Sequence, residues 1–288
     1  MSDLRLGCIG LGNMGAPMAK RMIDWPGGLT AFDVRATAMA PLAEAGADIA
    51  ASVAEVGANA DIISVTVLDD AQVEQVLAEL VTTAKPDTVI AIHSTIADTT
   101  AVALAEQYRP RGVHVIDAPV SGGAGAAEQG RLATMVGADR AIYELIKPAF
   151  KQWASLVIHA GLPGAGTRMK LARNMLTFTC FAAVGEALAL AEAAGLDLQA
   201  LGRVVRHTDA LTFGPGAIMF RDNTAEITPA DPLYQPLCHT RDLGEKDLRL
   251  ALAMAQNLGL ELPLAQLASA ELAPGLGVPH STTDRGEP

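Results

Sequence analysis

The chain has few basic, aromatic and cysteine residues, and the shortage of basic residues excludes one class of function. Its 288 residues carry 21 Lys and Arg against 32 Asp and Glu, a formal net charge of −11. Binding to nucleic-acid phosphates needs clustered basic side chains, and the sequence has no basic run longer than a residue or two. We therefore expect no nucleic-acid partner.

The three cysteines, Cys8, Cys180 and Cys238, are odd in number and lie in apolar or helical segments without metal-ligand spacing. We expect buried, reduced thiols and no metal. The sequence starts directly with a predicted strand and shows no signal segment, so we expect a cytoplasmic protein. The most apolar long stretch, 171–195, contains three charged residues. It is interpreted as a buried helix, and we expect no membrane partner.

The first 160 residues alternate between short apolar segments and helical ones, which predicts a doubly wound parallel sheet. An apolar run such as 61–67 is typical of a parallel strand that is buried on both faces. The predicted strands are 4–9, 29–32, 61–67, 88–92, 113–116, 132–136 and 155–159; the predicted helices are 13–23, 36–45, 70–80 and 97–108.

After Gly164 the pattern becomes helical, with one long helix predicted at 165–194 and shorter ones at 197–207, 240–257 and 262–273. The sequence therefore predicts an α/β fold in which an N-terminal Rossmann domain precedes a long interdomain helix and an all-α C-terminal domain. A cleft between the domains is the expected ligand site. The predicted boundaries are 1–163 for the dinucleotide-binding domain, 164–195 for the helix, 196–278 for the helical domain and 279–288 for a disordered tail.

A glycine motif, Gly10-x-Gly12-x-x-Gly15, follows the first predicted strand and opens a helix. In this context the first glycine allows a tight turn, the second lets the backbone approach a pyrophosphate, and the third lets helix and strand pack closely. The motif predicts a dinucleotide cofactor held by residues 10–15, which are Gly10, Leu11, Gly12, Asn13, Met14 and Gly15.

Asp33 ends the second predicted strand, 18 positions after Gly15. A carboxylate there accepts hydrogen bonds from the ribose hydroxyls and repels a 2′-phosphate, which favours NAD over NADP. Arg35, two residues later, is able to pair with a 2′-phosphate instead. We expect NAD, with NADP as the alternative.

Three further places carry candidate chemistry. Lys170 and Asn174 are spaced to share one helix face, and a desolvated lysine serves as an acid/base for hydride transfer, although a lone lysine is usually a surface residue. The segment from Asp117 to Gly123 supplies a hydroxyl and open backbone amides suited to a carboxylate, or is an ordinary glycine turn. His93, at a strand end, is a rival proton donor or a structural residue.

Together these motifs resemble the β-hydroxyacid dehydrogenase family, which includes 3-hydroxyisobutyrate dehydrogenase and tartronate semialdehyde reductase. The resemblance covers about Leu6 to Leu272. It rests on four blocks in order: Gly7 to Gly15, Asp117 to Gly123, Gly164 through Lys170 to Asn174, and Lys246-Asp247-Leu248.

The resemblance implies an NAD(P)-dependent oxidoreductase acting on a small β-hydroxy acid or its semialdehyde. It implies that Lys170 is the acid/base, that Asn174 positions it, and that the enzyme is a dimer or tetramer through its helical domain. It further implies that Ser121, Gly122 and Gly123 hold the substrate carboxylate, and that Leu68, Thr95 and Lys246 line the cofactor.

Two positions depart from the family pattern. His239 stands where an aromatic residue commonly packs over the substrate, and Arg173 replaces an amide before Asn174; a more polar or anionic substrate is one consequence. The alternatives are an imine reductase, in which the lysine is typically replaced, and a catalytically inactive cofactor-binding protein, in which it is typically lost. The presence of Lys170 argues against both.

Overall fold

The computed structural model describes residues 4–219 and 221–281 and divides into two compact units. The first unit is Met1–Met175 and the second is Leu176–Pro288. Each unit has its own secondary structure and its own buried apolar cluster.

A nine-stranded sheet forms the centre of the first unit, within the residues described. Its strands are β1 (Leu6–Ile9), β2 (Leu29–Phe32), β3 (Asp48–Ile49), β4 (Ile62–Val65), β5 (Val89–Ile92), β6 (His114–Asp117), β7 (Val120–Ser121), β8 (Leu132–Gly137) and β9 (Ala154–Gly161). The first six lie in the order β3-β2-β1-β4-β5-β6 and are all parallel. This is the strand order of a dinucleotide-binding fold, so the predicted fold class is confirmed.

The central strands end together at one edge of this sheet. Every residue of β1, β4 and β5 is buried, as expected for parallel strands covered on both faces. Ile9 is paired in register with Phe32 on one side and Val65 on the other. The residues that follow, Gly10 and Asp33 among them, therefore emerge side by side at the carboxyl edge, where such sheets bind ligands.

Beyond β6 the sheet is not parallel, which corrects part of the prediction. β8 runs antiparallel to both β6 and β7, and β9 runs parallel to β8. After β6 the chain continues in the same direction through β7, and it reverses between β7 and β8, so that Val120 and Ser121 pair antiparallel with Thr134 and Ala133. A two-residue strand has no periodicity from which a sequence could predict it.

Helices cover both faces of the sheet. They are α1 (Gly15–Lys20), α2 (Ala36–Glu44), α3 (Val53–Asn59), α4 (Asp70–Leu80), α5 (Asp98–Tyr108), α6 (Gly123–Glu128) and α7 (Arg140–Phe150). One buried cluster contains Met18, Phe150 and Trp153, and the other contains Val73 and Leu77. Short helices such as α3 and α6, and also α7, were not among the predicted elements.

The long helix α8 (Ala165–Ala193) forms as predicted, but most of its apolar side chains are not buried within the described chain. Phe178 is 61% exposed and Phe181 is 65% exposed. By length and composition α8 is the one described helix able to cross a membrane, a property that core helices share. The interpretation of 171–195 as a buried helix is therefore wrong for the single chain.

The second unit is helical in its described part, with α9 (Leu198–Thr212), α10 (Tyr234–Asn257) and α11 (Pro263–Leu276) following α8. The Glu186 carboxylate of α8 accepts the backbone N–H groups of Leu264 at 2.8 Å and Ala265 at 3.0 Å. It thereby satisfies donors that the first turn of α11 leaves without intrahelical partners.

Residues 279–281 of the predicted disordered tail have partners on α10. The Arg241 guanidinium donates to the Pro279 carbonyl, and His280 Nδ1 lies 2.7 Å from Glu245 Oε1. Residues 282–288 lie outside the described part of the chain.

The three cysteines are free thiols, although only Cys8 is fully buried, and burial raises the pKa of that thiol to about 12.

Candidate active site

The glycine motif forms a tight turn at the end of β1. Gly10 has φ +86°, and a Cβ there would lie 2.2 Å from the Thr66 carbonyl oxygen. A Cβ on Gly15 would lie 1.9 Å from the carbonyl oxygen of Gly10. Gly12 differs, because a Cβ there would meet no other atom within 4 Å. The fold therefore requires Gly10 and Gly15, whereas Gly12 leaves open space where the sequence predicts a pyrophosphate.

Asp33 ties this turn to the end of β2. Its Oδ2 accepts the Leu11 N–H at 2.7 Å, and its Oδ1 accepts the Arg35 N–H at 2.9 Å and the Arg35 Nε–H at 3.2 Å. Burial opposes ionisation of this carboxyl, but the hydrogen bonds from Arg35 and Leu11 prevail, so its pKa lies below the ordinary value. A charged carboxylate thus stands beside the glycine turn, with Arg35 paired to it.

The next two strand ends are joined by Ser94, a residue that the sequence did not single out. Its hydroxyl donates to the Val67 carbonyl at 2.7 Å and accepts the Val67 N–H at 3.0 Å. Leu68 and Thr95, the neighbours of this pair, are exposed at the same edge, Leu68 to 83%. The position of Ser94 shortly after the predicted strand 88–92 was the feature of the sequence that could have indicated this contact.

Asp117, the last residue of β6, holds the start of α8. Its carboxylate is 1% exposed and accepts the backbone N–H of Gly164 at 2.7 Å and of Thr167 at 2.6 Å. Burial raises the pKa of Asp117, although both of these hydrogen bonds favour the charged form. A Cβ on Gly166 would lie 2.3 Å from the Met135 carbonyl oxygen, so the first turn of α8 packs directly on the sheet.

Lys170 lies one turn further along α8 and is 8% exposed. Its Nζ donates to the Val120 carbonyl oxygen at 2.6 Å, so the ammonium lies against the residue that precedes Ser121. Burial, followed by the positive charge of Arg173, lowers the pKa of Lys170 below 10.5. This lysine is therefore not the exposed surface residue that a lone lysine usually is.

Ser121 and the two glycines after it lie beside this contact. Ser121 is half-buried at the end of β7, and Gly122 and Gly123 are exposed, with φ of +134° and +77°. A Cβ on Gly123 would meet no atom within 4 Å, so its backbone is open to a ligand. The structure thus brings together Lys170 and the Ser121 segment, which are 49 positions apart in the chain.

Asn174, one turn after Lys170, is half-buried, and its Oδ1 accepts a hydrogen bond from Arg173 Nη1 at 3.2 Å. His93 has a different setting, because it is 3% exposed with Nδ1 2.7 Å from the Ala118 carbonyl and Nε2 3.0 Å from Ser64 Oγ. Burial lowers the pKa of His93 to about 4, and its ring packs on Phe150. Its structural interpretation is therefore the better supported one.

Two of the predicted site residues belong to the second unit and lie on α10. Lys246 Nζ is 3.2 Å from Asp247 Oδ1, and both side chains are largely exposed. His239 is also exposed.

Comparison with known proteins assigns both halves of the chain. Residues 5–161 match the NAD-binding domain of 6-phosphogluconate dehydrogenase, and residues 164–275 match the NAD-binding region of NADP-dependent 3-hydroxyisobutyrate dehydrogenase. A solved Mycobacterium avium structure assigned to the oxidoreductases is 70% identical, with a TM-score of 0.94 over 96% of this chain and 100% of that one.

Two curated relatives are similarly complete. An uncharacterized oxidoreductase of Mycobacterium tuberculosis is 66% identical over 97% of this chain and 96% of its own length. The NAD-dependent L-serine dehydrogenase of Pseudomonas aeruginosa is 33% identical over 90% of this chain and 88% of its own length. These matches support a nicotinamide cofactor and hydroxyacid dehydrogenase activity. The chain belongs to the β-hydroxyacid dehydrogenase family.

Proposed function

We propose that this protein transfers a hydride between nicotinamide and a small β-hydroxy acid or its semialdehyde, with Lys170 as the general acid/base and NAD as the favoured cofactor. The observation that carries the proposal is the setting of Lys170. Its Nζ is buried, has a lowered pKa and lies 2.6 Å from the Val120 carbonyl, directly beside Ser121. An acid/base group needs a pKa near the working pH and a place next to the reacting hydroxyl.

The residues at the carboxyl edge fit a dinucleotide. The open space over Gly12 accommodates a pyrophosphate, and the ionised Asp33 suits the two hydroxyls of a ribose. Bound nicotinamide supplies the hydride acceptor or donor. We assign the cofactor contacts to residues 10–15 (Gly10, Leu11, Gly12, Asn13, Met14 and Gly15), Asp33, Arg35, Leu68, Thr95 and Lys246.

In the oxidative direction, a neutral Lys170 takes the proton of the substrate hydroxyl while the hydride leaves the carbon that bears it. In reduction, the ammonium returns that proton to the new alkoxide oxygen. The Val120 carbonyl holds the lysine in place throughout, and Asn174 positions the lysine and the substrate oxygen. The atoms balance, because the alcohol loses one hydride and one proton and becomes a carbonyl.

The carboxylate of the substrate binds to Ser121 and to the backbone amides of Gly122 and Gly123. Glycines with positive φ present their N–H groups without a side chain in the way, which suits an anion. We keep His239 as a candidate substrate contact on the second unit. An inactive protein or an imine reductase would not need a buried lysine beside an anion-binding segment.

The exposed apolar side chains of α8 support association of two or more copies through the helical part of the chain. Met175, Phe178 and Phe181 are each more than half exposed and follow one another at every third position of the helix, and exposed apolar patches of this kind mark interaction sites. Light scattering on the purified protein measures its oligomeric state. Phe178→Glu should dissociate the oligomer. We also propose a cytoplasmic location, with no membrane or nucleic-acid partner.

A spectrophotometric screen of β-hydroxy acids and semialdehydes with NAD and NADP tests the proposed activity. Lys170→Ala should lower kcat by roughly 10²-fold or more, the contribution typical of general acid–base catalysis. Cofactor affinity, measured by fluorescence titration, should change little, because Lys170 is not among the proposed cofactor contacts. Near-normal turnover by Lys170→Ala would remove the lysine from the mechanism.

A further inference from the structure

Ser94 joins the segments that follow β4 and β5 at the point where the two strands end. Val65 lies opposite Ile92 in the sheet, and the His93 N–H then donates to the Val65 carbonyl at 2.9 Å. Beyond this bond, the buried Ser94 hydroxyl donates to the Val67 carbonyl and accepts the Val67 N–H. One hydroxyl can do both because it has one hydrogen and two lone pairs. It therefore extends the pairing of the two strands past their ends.

The same two segments make a second contact at the starts of α4 and α5. The carboxylate of Asp70, the first residue of α4, accepts the backbone N–H of Ala97 at 3.1 Å. Leu68 lies between the two contacts on one segment, and Thr95 lies between them on the other. Both of these residues are exposed. The two contacts therefore hold, side by side, the two residues that the family resemblance places along the cofactor.

The segment that carries Leu68 is held from two sides. The Thr66 carbonyl lies against the glycine turn, since a Cβ on Gly10 would be 2.2 Å from its oxygen. The Leu68 N–H donates to Gln72 Oε1 at 3.1 Å, and Ser94 holds the residue between Thr66 and Leu68. The Leu68 side chain nevertheless remains 83% exposed. Its backbone is thus fixed while its apolar side chain is left open to a ligand.

We propose that Ser94 is a positioning residue for the nicotinamide half of the cofactor: its hydroxyl fixes the segment that carries Leu68 against the segment that carries Thr95. This inference rests on the proposed function, which assigns Leu68 and Thr95 to the cofactor, and it names the group that holds them in place. A surface that is ordered before the ligand arrives loses less conformational entropy on binding. The pyrophosphate and the ribose of the adenosine are assigned to other groups, namely the glycine turn and Asp33. Loss of the Ser94 hydroxyl should therefore weaken binding of the nicotinamide half alone.

Calorimetric binding of NADH and of ADP-ribose, which lacks the nicotinamide ring, tests the inference without turnover. The wild-type protein should bind NADH more tightly than ADP-ribose. Ser94→Ala should raise the Kd of NADH by roughly 10-fold and change the Kd of ADP-ribose by less than about twofold, because the segment then spends less time in the arrangement that binds the ring. An equal loss for both ligands would overturn the inference, because the serine would then support the domain as a whole.

Thr83→Ala is the matched control. The Thr83 hydroxyl also donates to a backbone carbonyl of another segment, that of Ala54, but Thr83 follows the opposite end of α4. This variant should leave both Kd values as in the wild type.

Asp70 provides a second pair of variants, which tests the inference even if Ser94→Ala fails to fold. Asp70→Ala removes the acceptor of the Ala97 N–H and should weaken NADH more than ADP-ribose. Asp70→Asn keeps an oxygen for this N–H and should bind NADH nearly as the wild type does. Unchanged NADH binding in Asp70→Ala would overturn the proposed effect of these contacts.

Amide hydrogen exchange in the protein without cofactor reports on the Ser94 contact directly. The Val67 N–H should exchange faster in Ser94→Ala, which lacks its acceptor, and at the wild-type rate in Thr83→Ala. Faster exchange together with a selective loss of NADH supports the role of Ser94 even if no hydroxy acid is oxidised. Retention of the NADH preference in Ser94→Ala rejects that role alone, whereas a wild-type protein without this preference would overturn the assignment of Leu68 and Thr95 as well.

Discussion

Asp117 and Lys170 are held by one short stretch of chain. Asp117 accepts the N–H groups of the first turn of α8, and the carbonyl of Val120, three residues later, accepts the ammonium of Lys170 at 2.6 Å. The stretch from Asp117 to Val120 therefore fixes both the helix and the end of the lysine side chain. A change at either contact should move Lys170 Nζ, the proposed acid/base.

Asp117→Asn should therefore impair both stability and turnover. An amide presents one oxygen and one NH₂ group to two N–H donors, so one of them loses its acceptor at a cost of about 1–3 kcal/mol in unfolding free energy. A displacement of Lys170 by about 1 Å is expected to lower kcat by up to roughly 10²-fold. Denaturant unfolding and steady-state kinetics measure the two effects.

The matched control is Asp139→Asn, because Asp139 stands before α7 and its side chain makes no capping hydrogen bond. This variant should unfold and turn over like the wild type. If Asp117→Asn behaves in the same way as the control, the carboxylate does not position Lys170.

The pH dependence of oxidation should report the lowered pKa of Lys170. Oxidation requires the neutral amine, so kcat/KM should rise with pH and level off above the pKa, with a midpoint below 10.5. Arg173→Gln removes a positive charge that lowers this pKa, and its midpoint should move to higher pH. A midpoint that does not move in Arg173→Gln would contradict the electrostatic coupling of these two residues.

Ser121→Ala should raise KM more than it lowers kcat, because the proposed contact with the substrate carboxylate would be made in the ground state as well as in the transition state. Substrates esterified at this carboxylate should be poor for the same reason. Initial rates with acid and methyl ester pairs are the measurement. Equal turnover of esters and acids would assign the segment another role.

Cofactor preference should follow Asp33. Its ionised carboxylate, supported by Leu11 and Arg35, suits the ribose diol and repels a 2′-phosphate. We expect a higher kcat/KM with NAD than with NADP, and a weaker or reversed preference in Asp33→Ala. Arg35 is paired with Asp33. It should lower the ratio of kcat/KM with NAD to kcat/KM with NADP, but this ratio should stay above one. A wild-type preference for NADP would mean that Arg35 governs the pocket.

Stability should fall in mild acid because of His93. Its pKa in the folded protein is about 4, against 6.5 ordinarily, so between these values the unfolded chain binds a proton that the folded chain excludes. The free energy of unfolding should thus decrease by up to about 3 kcal/mol as the pH falls from 6.5 to 4. His93→Gln should reduce this slope in urea unfolding curves; an unchanged slope would assign it to other groups.

The sequence was sufficient for five of the six parallel strands and for the glycine turn, because both depend on local patterns of apolar residues and glycine. It did not predict the sixth, β3 (Asp48–Ile49), which has two residues. It was insufficient for β7, whose two residues are defined only by their pairing with β8. The capping of α8 by Asp117 joins residues 47 and 50 positions apart, and no local pattern encodes it. The exposure of Phe178 was missed because composition cannot distinguish a helix buried in its own chain from one left uncovered.

Lys170 and Arg173, one turn apart near the start of α8, differ in their contacts with the rest of the chain. The Lys170 side chain is held by its hydrogen bond to the Val120 carbonyl, and the start of its helix is held by Asp117. Arg173, on the next turn, is exposed and makes neither of these contacts. Arg173 therefore acts on the Lys170 amine through its charge and through Asn174, and not through the contacts that fix the end of the side chain. Mutant libraries at Arg173 should therefore be rich in folded proteins, and libraries at Asp117 should be poor in them.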